Sequence, residues 1–414
     1  MPTLHIAIVG GGAAGLFAAI TAKHNHPHTD VTVFEKNSKL LAKVAITGGG
    51  RCNLTNSFTE INDLRNAYPR GHKLIKRLFN TFDYNDVYQW FEDHGVPLIT
   101  QEDNCVFPQS QDSQSIIDCL ISTARQLGVK FRLGCNITSI EQSQYGQLCL
   151  GFTVGQAREM QHQYFDRVAV TTGGSPQLRG LDFLSSVVQK IESPVASLFT
   201  LTINDRRLQS MMGTVVDPVT VSIPSTKFRA EGPLLITHWG MSGPAVLKLS
   251  SYAARLLHES DYRSTLTVNW INRSNHNEVE QEFYSFISAN HNKMAGNVHP
   301  FDLSSRLWTY ILEKSGCPAE RRMGELGKKM VNKLIDTLTN DQYAIAGKGK
   351  FKEEFVTCGG VALDELNLNT LESKNCPHLF FAGEVIDVDG ITGGFNLQAA
   401  WTMGYVAGLN IGKP

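Results

Sequence analysis

The first 35 residues alternate between apolar segments and turns in a way that predicts three elements of regular structure. Residues 4–9 form a short, mainly apolar segment that is typical of a buried strand, and residues 16–20 continue as an apolar helix after a glycine-rich turn. Residues 31–34 predict a second buried strand, which Glu35 closes. The order strand, helix, strand predicts a βαβ unit with parallel strands.

Beyond this unit the same periodicities predict further helices and strands. Helices are expected at residues 73–82, 85–94 and 115–127, with Ser113 as the N-cap of the third. A third parallel strand is predicted from residues 129–133. A β-meander and a strand that returns to the sheet are predicted from residues 137–141, 147–154 and 164–171.

The character of the chain changes between about residue 190 and residue 350, where extended pieces alternate with polar helices. Towards the end, residues 379–384 form an apolar strand with a glycine and an acid, and residues 393–397 open a helix. Both chain ends therefore predict one discontinuous α/β domain, with a Rossmann-like parallel sheet and a β-meander. The predicted boundaries are 1–192 with 351–414 for this domain, 193–272 with 341–350 for an inserted β-rich domain, and 273–340 for a small helical insertion.

The composition limits the partners that we expect. Lys and Arg number 38 and Asp and Glu number 39, so the net charge is −1 and neither a nucleic acid nor a membrane surface is an expected partner. No apolar stretch without glycine turns is long enough to span a bilayer. Eight cysteines without a Cys-x-x-Cys pair predict neither a disulfide framework nor a metal site, and a reducing, cytoplasmic location is the default expectation.

Candidate chemistry begins at the glycine turn. Gly10, Gly12 and Gly15 have the spacing Gly-x-Gly-x-x-Gly, and Glu35 follows about 20 positions later. In this fingerprint the glycines allow a tight turn, the approach of a pyrophosphate and close packing of helix on strand. The helix N-terminus offers N–H groups to phosphates, and the acid accepts hydrogen bonds from ribose hydroxyls. The alternative is a glycine-rich turn that binds no ligand.

Two later segments, taken together with the glycine turn, resemble one particular known fold. Thr172 and Gly173 follow one predicted strand, and Gly383 and Glu384 follow another; with the fingerprint they resemble the glutathione-reductase-type FAD-binding fold. The resemblance implies FAD, with Glu384 binding a ribityl hydroxyl, whereas the alternative for Glu384 is a solvated acid. If the helix N-terminus at residues 394–397 faces the flavin, its dipole stabilises the negative charge that reduction places there.

The chain also resembles a narrower family, the YhiN/BaiN-like NAD(P)/FAD-dependent oxidoreductases. The similar segments are residues 43–56, 106–108, 237–244, 355–361 and 382–390. The resemblance implies non-covalently bound FAD, a β-rich insertion and a small helical insertion. NAD(P)H as a donor is implied by the family alone, because the middle of the chain contains no second Gly-x-Gly-x-x-Gly unit.

The resemblance assigns the FAD site to the glycine turn, the loop at residues 43–56 and the chain-end segments. Arg51 either contacts the cofactor or caps its own loop. Cys52 is interpreted as a small buried residue, because no second cysteine lies near it in sequence; a spatial contact with Cys358 would revive a disulfide hypothesis. The expected site residues are Gly10, Gly12, Ala13, Ala14, Gly15, Glu35, Lys36, Lys43, Gly50, Arg51, Cys52, Asn53, Ile137, Thr172, Gly173, Gly383, Glu384, Gly394, Asn396 and Leu397.

The predicted function is hydride transfer between flavin and a small organic substrate, either in the reduction of an activated C=C bond or in the oxidation of an amine. His238 is the candidate proton donor, although a histidine that bonds to its own loop is an equal alternative. Asp387 and Asp389 either shape the site or order a turn. The alternative functions are a flavoprotein of transfer-RNA modification and a flavin-binding protein without turnover.

Overall fold

The computed structural model describes residues 3–155, 159–349 and 356–413. The chain divides into two compact units, one formed by Met1–Ala196 with Val356–Pro414 and the other by Ser197–Phe355. The predicted boundary at residues 350 and 351 lies outside the described residues, as does residue 355 of one family-like segment. The predicted division of the middle of the chain into a β-rich and a helical part stays a prediction.

The described elements follow each other in an order that alternates strands and helices at both chain ends. The strands are β1 (His5–Val9), β2 (Asp30–Glu35), β3 (Thr55–Asn56), β4 (Leu98–Thr100), β5 (Cys105–Pro108), β6 (Lys130–Leu133), β7 (Cys135–Gln142), β8 (Leu148–Val154), β9 (Glu159–Phe165), β10 (Arg167–Val170), β11 (Ile191–Ser197), β12 (Leu201–Thr202), β13 (Val215–Ser222), β14 (Arg229–Thr237), β15 (Gly240–Ser242), β16 (Ser264–Asn269), β17 (Asp341–Ile345), β18 (Gly347–Lys348), β19 (Val356–Val361) and β20 (Leu379–Phe381). The α-helices are α1 (Ala13–Asn25), α2 (Ala42–Ile46), α3 (Leu64–Ala67), α4 (His72–Leu78), α5 (Tyr84–Asp93), α6 (Gln114–Gln126), α7 (Arg206–Ser210), α8 (Pro244–Tyr252), α9 (Ala254–Glu259), α10 (His276–Ala289), α11 (Ser305–Ser315), α12 (Lys328–Thr339) and α13 (Phe395–Ile411).

The first unit is built on a five-stranded sheet with the order β20-β10-β1-β2-β6, in which every neighbouring pair is parallel. Most residues of β1 and β2 are buried, as expected for strands that are covered on both faces. The helix α1 connects these two strands, which confirms the predicted βαβ unit. Because β20 comes from the end of the chain and pairs with β10, the predicted discontinuous α/β fold is confirmed.

An antiparallel meander of β7, β8 and β9 precedes the returning strand β10. The returning strand predicted at residues 164–171 corresponds to β10, but the first two predicted residues belong to the end of β9, a strand that was not predicted. The first six of the seven residues of β9 are exposed and most of them are polar. A strand of this kind has no apolar alternation, so the sequence pattern does not reveal it.

The helices α1 and α13 approach each other at backbone distance. A Cβ atom on Gly404 would lie 2.6 Å from the carbonyl oxygen of Ala14, and one on Gly408 would lie 2.5 Å from that of Ala18. From Gly404 to Gly408 the contact point on α1 moves from Ala14 to Ala18. Both helices therefore advance by about one turn in the same direction, so they run parallel. Because α13 begins nine residues before Gly404 and α1 begins one residue before Ala14, α13 extends beyond the start of α1 by about 12 Å at 1.5 Å per residue.

Aromatic side chains fill the core beside this helix pair. The ring of Phe17 in α1 lies 5.5 Å from that of Trp401 in α13 and 5.6 Å from that of Phe82. All three residues are buried. The indole N–H of Trp401 donates to the carbonyl oxygen of Leu54 at 3.0 Å, so the same core anchors the segment that leads into β3.

The second unit contains a seven-stranded antiparallel sheet with the order β17-β16-β13-β14-β15-β12-β18. The helices α10, α11 and α12 of this unit surround a small core that includes Phe283 and Trp308, whose ring centroids lie 6.3 Å apart. In neither unit is any described helix both long enough and apolar enough to cross a membrane.

We expect the double variant G404A/G408A to be less stable than the unaltered chain. Each new Cβ would meet a backbone carbonyl that cannot rotate away, and this repulsion outweighs the gain in helix propensity of about 1 kcal/mol per Gly→Ala change. The melting temperature, followed by circular dichroism, should fall by about 5 °C. The control is G327A, where an added Cβ would meet nothing within 4 Å; an unchanged melting temperature of the double variant contradicts the close contact.

Candidate functional site

The glycine turn after β1 is tight on one side and open on the other. Gly10 has φ 112°, and a Cβ there would lie 2.5 Å from the carbonyl oxygen of Thr171; a Cβ on Gly15 would lie 1.9 Å from the carbonyl oxygen of Gly10. By contrast, a Cβ on Gly12 would meet nothing within 4 Å. The two outer glycines are therefore needed for packing, whereas Gly12 leaves free space in front of the N-terminus of α1.

The carboxylate of Glu35 lies next to this turn and is held by three hydrogen bonds. One oxygen accepts from the backbone N–H of Gly11 at 2.8 Å, and the other accepts from the backbone and side-chain N–H groups of Asn37 at 2.8 and 2.7 Å. Lys36, which lies between Glu35 and Asn37 in the sequence, is exposed. The position of Glu35 agrees with the fingerprint, but sequence reasoning missed Asn37, for which no motif provides a signal.

Glu384 contacts residues from both chain segments that form the first unit. Its Oε1 accepts from the backbone N–H of Thr357 at 2.7 Å, and its Oε2 pairs with Nζ of Lys43 at 2.9 Å. A Cβ on Gly383 would lie 2.9 Å from Cβ of Ala14, so this strand end presses on the first turn of α1. The Lys43 side chain is 62% exposed, so this ion pair is screened by water and its carboxylate can change partners.

The strand end after β10 borders Glu384. Thr172 is exposed and Gly173 has φ 77°, and a Cβ on Gly174 would lie 2.6 Å from Oε1 of Glu384. Ile137, another expected site residue, lies half-buried in β7 and pairs with Phe152 of β8. The expected site residues did not include Thr357 and Gly174, although Thr357 lies within the family-like segment 355–361 and Gly174 directly follows Gly173.

The loop before β3 is shaped by three successive glycines with positive φ, at residues 48–50. Arg51 turns back onto this loop: its Nε donates to the carbonyl oxygen of Gly48 at 3.1 Å, and its guanidinium lies 4.3 Å from the centre of the Phe107 ring. The backbone N–H of Ser113 donates to Gly50 at 2.9 Å. Ser113 does precede α6, but its hydroxyl donates to Ala45 at 3.0 Å and does not cap that helix.

Cys52 is fully buried and forms no disulfide bond. Burial raises the pKa of its thiol to about 12, because the interior disfavours the thiolate. Its backbone has φ 63°, as the sharp end of the glycine loop requires. The geometry agrees with the interpretation of Cys52 as a small buried residue, since a nucleophilic or redox-active thiol needs access and a low pKa.

The strand β3 fixes the start of α13. The hydroxyl of Thr55 donates to Oε1 of Gln398 at 2.5 Å, and the side-chain amide of Asn56 donates to the carbonyl oxygen of Gly393 at 3.1 Å. A Cβ on Gly394 would lie 2.2 Å from the carbonyl oxygen of Thr55 and 2.9 Å from Oδ1 of Asn53. This Oδ1 atom is buried and has no hydrogen-bond partner among the described residues, so it is an acceptor available to a ligand.

The turn before α13 is held by buried polar groups. Asp389 is fully buried and forms a bidentate ion pair with Arg70. The side-chain amide of Asn396 exchanges hydrogen bonds of 2.8 and 2.9 Å with the backbone of Gly390, and the hydroxyl of Tyr68 donates to Phe395 at 2.9 Å. Asp389 and Asn396 thus order the turn through their side chains, and Leu397 follows half-buried in the first turn of the helix.

Two parallel helix N-termini therefore border this site, at Gly12 and at residues 394–397, and they are offset by about 12 Å along their axes. Each N-terminus carries partial positive charge from its free N–H groups. An elongated ligand with negative charge at two places fits this spacing. His238 belongs to the second unit, where it is exposed in the turn between β14 and β15, and its ring lies 4.3 Å from that of Trp239.

The chain is similar to one protein family and to individual proteins along nearly their whole length. A model described as the HI0933-like protein Rossmann domain matches residues 4–410. The chain is 26% identical to the 3-dehydro-bile acid delta(4,6)-reductase of Clostridium scindens, over 97% of this chain and 98% of that protein. It is 29% identical to the ribosomal RNA dihydrouridine synthase of Escherichia coli, over 98% of this chain and 97% of that protein.

Among solved structures, the 3-ketosteroid-delta4-(5alpha)-dehydrogenase of Rhodococcus jostii RHA1 is similar with a TM-score of 0.49 at 14% identity, over 99% of this chain and 97% of that chain. The family match covers nearly the whole sequence, so it confirms the resemblance to the YhiN/BaiN-like oxidoreductases. The chain therefore belongs to the HI0933-like protein family and is an FAD-dependent oxidoreductase with a Rossmann-like FAD-binding domain.

Proposed function

We propose that this oxidoreductase reduces a carbon–carbon double bond conjugated to a carbonyl group, with NAD(P)H as the electron donor. The observation that carries the proposal is the chemistry common to two full-length relatives, whose names describe a reductase of a 3-dehydro-bile acid and a synthase of dihydrouridine. Both products are saturated at a bond that was conjugated to a carbonyl. The balanced reaction consumes NAD(P)H, a proton and the unsaturated substrate, and yields NAD(P)+ and the saturated product.

The residues of the first unit fit FAD as the bound cofactor. Free space at Gly12, an acid at the end of β2 and a buried acceptor at Asn53 are the features that an extended dinucleotide with a flavin ring requires. Bound FAD, once NAD(P)H has reduced it, would supply a hydride from N5 of the flavin. The proposed contacts to its phosphates, sugars and ring are made by Gly10, Gly12, Ala13, Ala14, Gly15, Glu35, Lys36, Lys43, Gly50, Asn53, Ile137, Thr172, Gly173, Gly383, Glu384, Gly394 and Leu397.

The start of α13 has a chemical role in this proposal. The unpartnered Oδ1 of Asn53 would accept a hydrogen bond from an N–H of the flavin ring, and the N–H groups at the start of α13 would stabilise negative charge on the ring. Arg70 and Asp389 act as positioning residues, because their buried ion pair fixes the turn before this helix. Donation of the proton is proposed for His238, which is exposed.

Because the thiol of Cys52 is buried, an organic molecule is a better candidate than a disulfide for the acceptor of the electrons. Disulfide reductases pass electrons from flavin to a pair of accessible cysteines, whereas Cys52 is enclosed and stays protonated at neutral pH. Arg51 and Cys52 are therefore proposed to shape the loop without taking part in the chemistry. This assignment argues against a disulfide as the acceptor of the hydride.

We expect N53A to weaken FAD binding by about fivefold, because one hydrogen bond contributes about 1 kcal/mol. The dissociation constant is measured by titrating the apoprotein with FAD and following flavin fluorescence. The matched control is N332A, an exposed position of α12, which should bind FAD like the unaltered chain. If N53A binds FAD with unchanged affinity, the buried acceptor does not face the cofactor.

Anaerobic stopped-flow absorbance tests the reaction itself. We expect NADH or NADPH to bleach the flavin within seconds, and an α,β-unsaturated ketone to restore the oxidised spectrum while its saturated analogue does not. Flavin that stays oxidised for minutes with both donors contradicts the proposed electron source. If an amine bleaches the flavin and no enone reoxidises it, amine oxidation replaces the proposed reaction.

Cys52 predicts a specific dependence of stability on pH. The folded protein keeps this thiol protonated up to about pH 12, whereas the unfolded chain releases the proton from about pH 9. Above pH 9 the folded state therefore binds more protons, and stability falls as the pH rises. In C52A this contribution is absent, so the free energy of unfolding from urea titrations should fall less between pH 9 and 11 than in the unaltered chain. An equal fall in both proteins contradicts the burial, and flavin reduction in C52A should stay unchanged.

A further inference from the structure

The last strand of the meander, β9, leaves one edge of its sheet open. It pairs residue for residue with β8 from Glu159 to Phe165, without a bulge. Every second residue of such a strand directs its N–H and C=O groups away from the neighbouring strand. Within the described part of the chain, no group outside β8 hydrogen-bonds to the backbone of residues 159–164. The strand also contains no lysine or proline, which commonly protect an edge from pairing.

The opposite edge of the same sheet is covered. The 3₁₀ helix Leu178–Leu184 lies against β7, and the hydroxyl of Ser186 just after it donates to the carbonyl oxygen of Ile140 in β7 at 2.5 Å. A sheet with one open and one covered edge can add a single further strand through that open edge. If the added strand is the β9 of a second copy, both open edges are used up, and the assembly closes as a dimer instead of growing into a fibre.

The sequence of β9 is nearly symmetric about His162. Gln161 and Gln163 flank this residue, and next come Met160 and Tyr164, whose exposed fractions are 56% and 57%. When two copies of β9 pair antiparallel with His162 opposite itself, each Gln161 faces Gln163 and each Met160 faces Tyr164 of the second copy. The Cβ atoms of opposite residues lie about 4.5–5.5 Å apart, and a thioether beside an aromatic ring is a favourable pair.

Side chains on both faces of β9 are already held in place. The guanidinium of Arg132 donates to Oε1 of Gln163 at 2.8 Å and to that of Gln161 at 3.4 Å, and it lies 4.9 Å from the centre of the buried Phe152 ring. On the other face, the hydroxyl of Thr138 donates to the sulfur of Met160 at 3.5 Å. A strand that is ordered before it pairs loses little conformational entropy on association, so β9 is suited to bind another strand.

We propose that β9 is a dimerisation strand, which pairs antiparallel with β9 of a second copy of this chain about a two-fold axis at His162. The meanders of the two copies then form one six-stranded antiparallel sheet. The pairing satisfies the outward N–H and C=O groups and covers Met160 and Tyr164. Since β9 has 7 residues and a standard interface uses about 20–30 residues on each side, the dissociation constant is expected on the order of 10 μM.

Sedimentation velocity of the full-length protein loaded with FAD tests the association, at concentrations from about 1 to 100 μM. We expect the mass to rise from monomer to dimer. M160K/Y164K should stay monomeric, because each lysine would lie opposite another lysine. The matched variant is M160K/Y164E, in which opposite charges face each other, and it should dimerise like the unaltered chain. Both variants should bind FAD normally, which shows that they are folded.

Three outcomes of this experiment overturn the proposal. The first is an unaltered chain that stays monomeric at every concentration, which would leave the edge of β9 to an extended segment of another protein. The second is equal association of M160K/Y164K and M160K/Y164E, because the proposed register places like charges together in one variant and opposite charges in the other. The third is growth beyond the dimer, because the two-fold pairing closes the assembly.

Cross-linking tests the position of the two-fold axis. The background is C149S, because Cys149 is half-buried and the seven other cysteines are buried. In this background H162C should be linked to its own copy by a short bismaleimide. The control is M160C, whose two copies would lie four residues apart along the paired strands, or about 14 Å. Failure of H162C to link where the dimer forms, or equally efficient linking of M160C, contradicts the proposed pairing.

Discussion

Close packing of α1 on α13 is the contact on which the rest of the FAD-binding unit depends. Helices that meet through large side chains keep their axes 8–10 Å apart, whereas glycines allow backbone contact. Here Gly404 and Gly408 meet the carbonyl oxygens of Ala14 and Ala18, and Gly383 adds a third close contact to Ala14. The N-termini of the first and last helices are thereby held in one fixed register, although nearly the whole chain separates them.

Parallel helices bring like partial charges to the same side, and this arrangement is unfavourable without a counter-charge. FAD carries negative charge on its central pyrophosphate and gains negative charge on its flavin ring when it is reduced, so in the proposed site these two parts would compensate the two N-termini. The same reasoning accounts for the unpartnered Oδ1 of Asn53, since leaving a buried acceptor without a donor costs about 1–3 kcal/mol in the protein alone. Rigid neighbours maintain this arrangement: Thr55 bonds to Gln398, and Arg70 pairs with the buried Asp389.

Charge in this protein is informative locally and misleading as a total. The net charge of the whole chain is −1, but charge is unevenly distributed, because residues 320–333 carry a net charge of +3. The segment around Lys293 is joined to them by backbone hydrogen bonds at Ala295 and Met323, which no count of residues reveals.

The sequence by itself determined the fold class and the cofactor. Glycine spacing, apolar strands and an acid at each strand end are local signals, because each follows from backbone conformation and burial within a few residues. It also predicted that Gly12, Glu35 and Glu384 belong to one ligand site, and in the structure they follow or end β1, β2 and β20, which are strands of one sheet. The sequence pattern did not predict β9, because this exposed, polar edge strand has no apolar alternation.

Only the tertiary structure decided which side chains remain available for a ligand. Asn396 and Asp389 turned out to be occupied by the turn at Gly390 and by Arg70, and Arg51 by its own loop, whereas Asn53 kept a free acceptor. The physical reason is that hydrogen-bond partners and ion pairs are set by contacts between residues far apart in the chain. Sequence patterns report the structural preferences of single segments. They contain no information on which polar groups far apart in the chain form hydrogen bonds or ion pairs with each other.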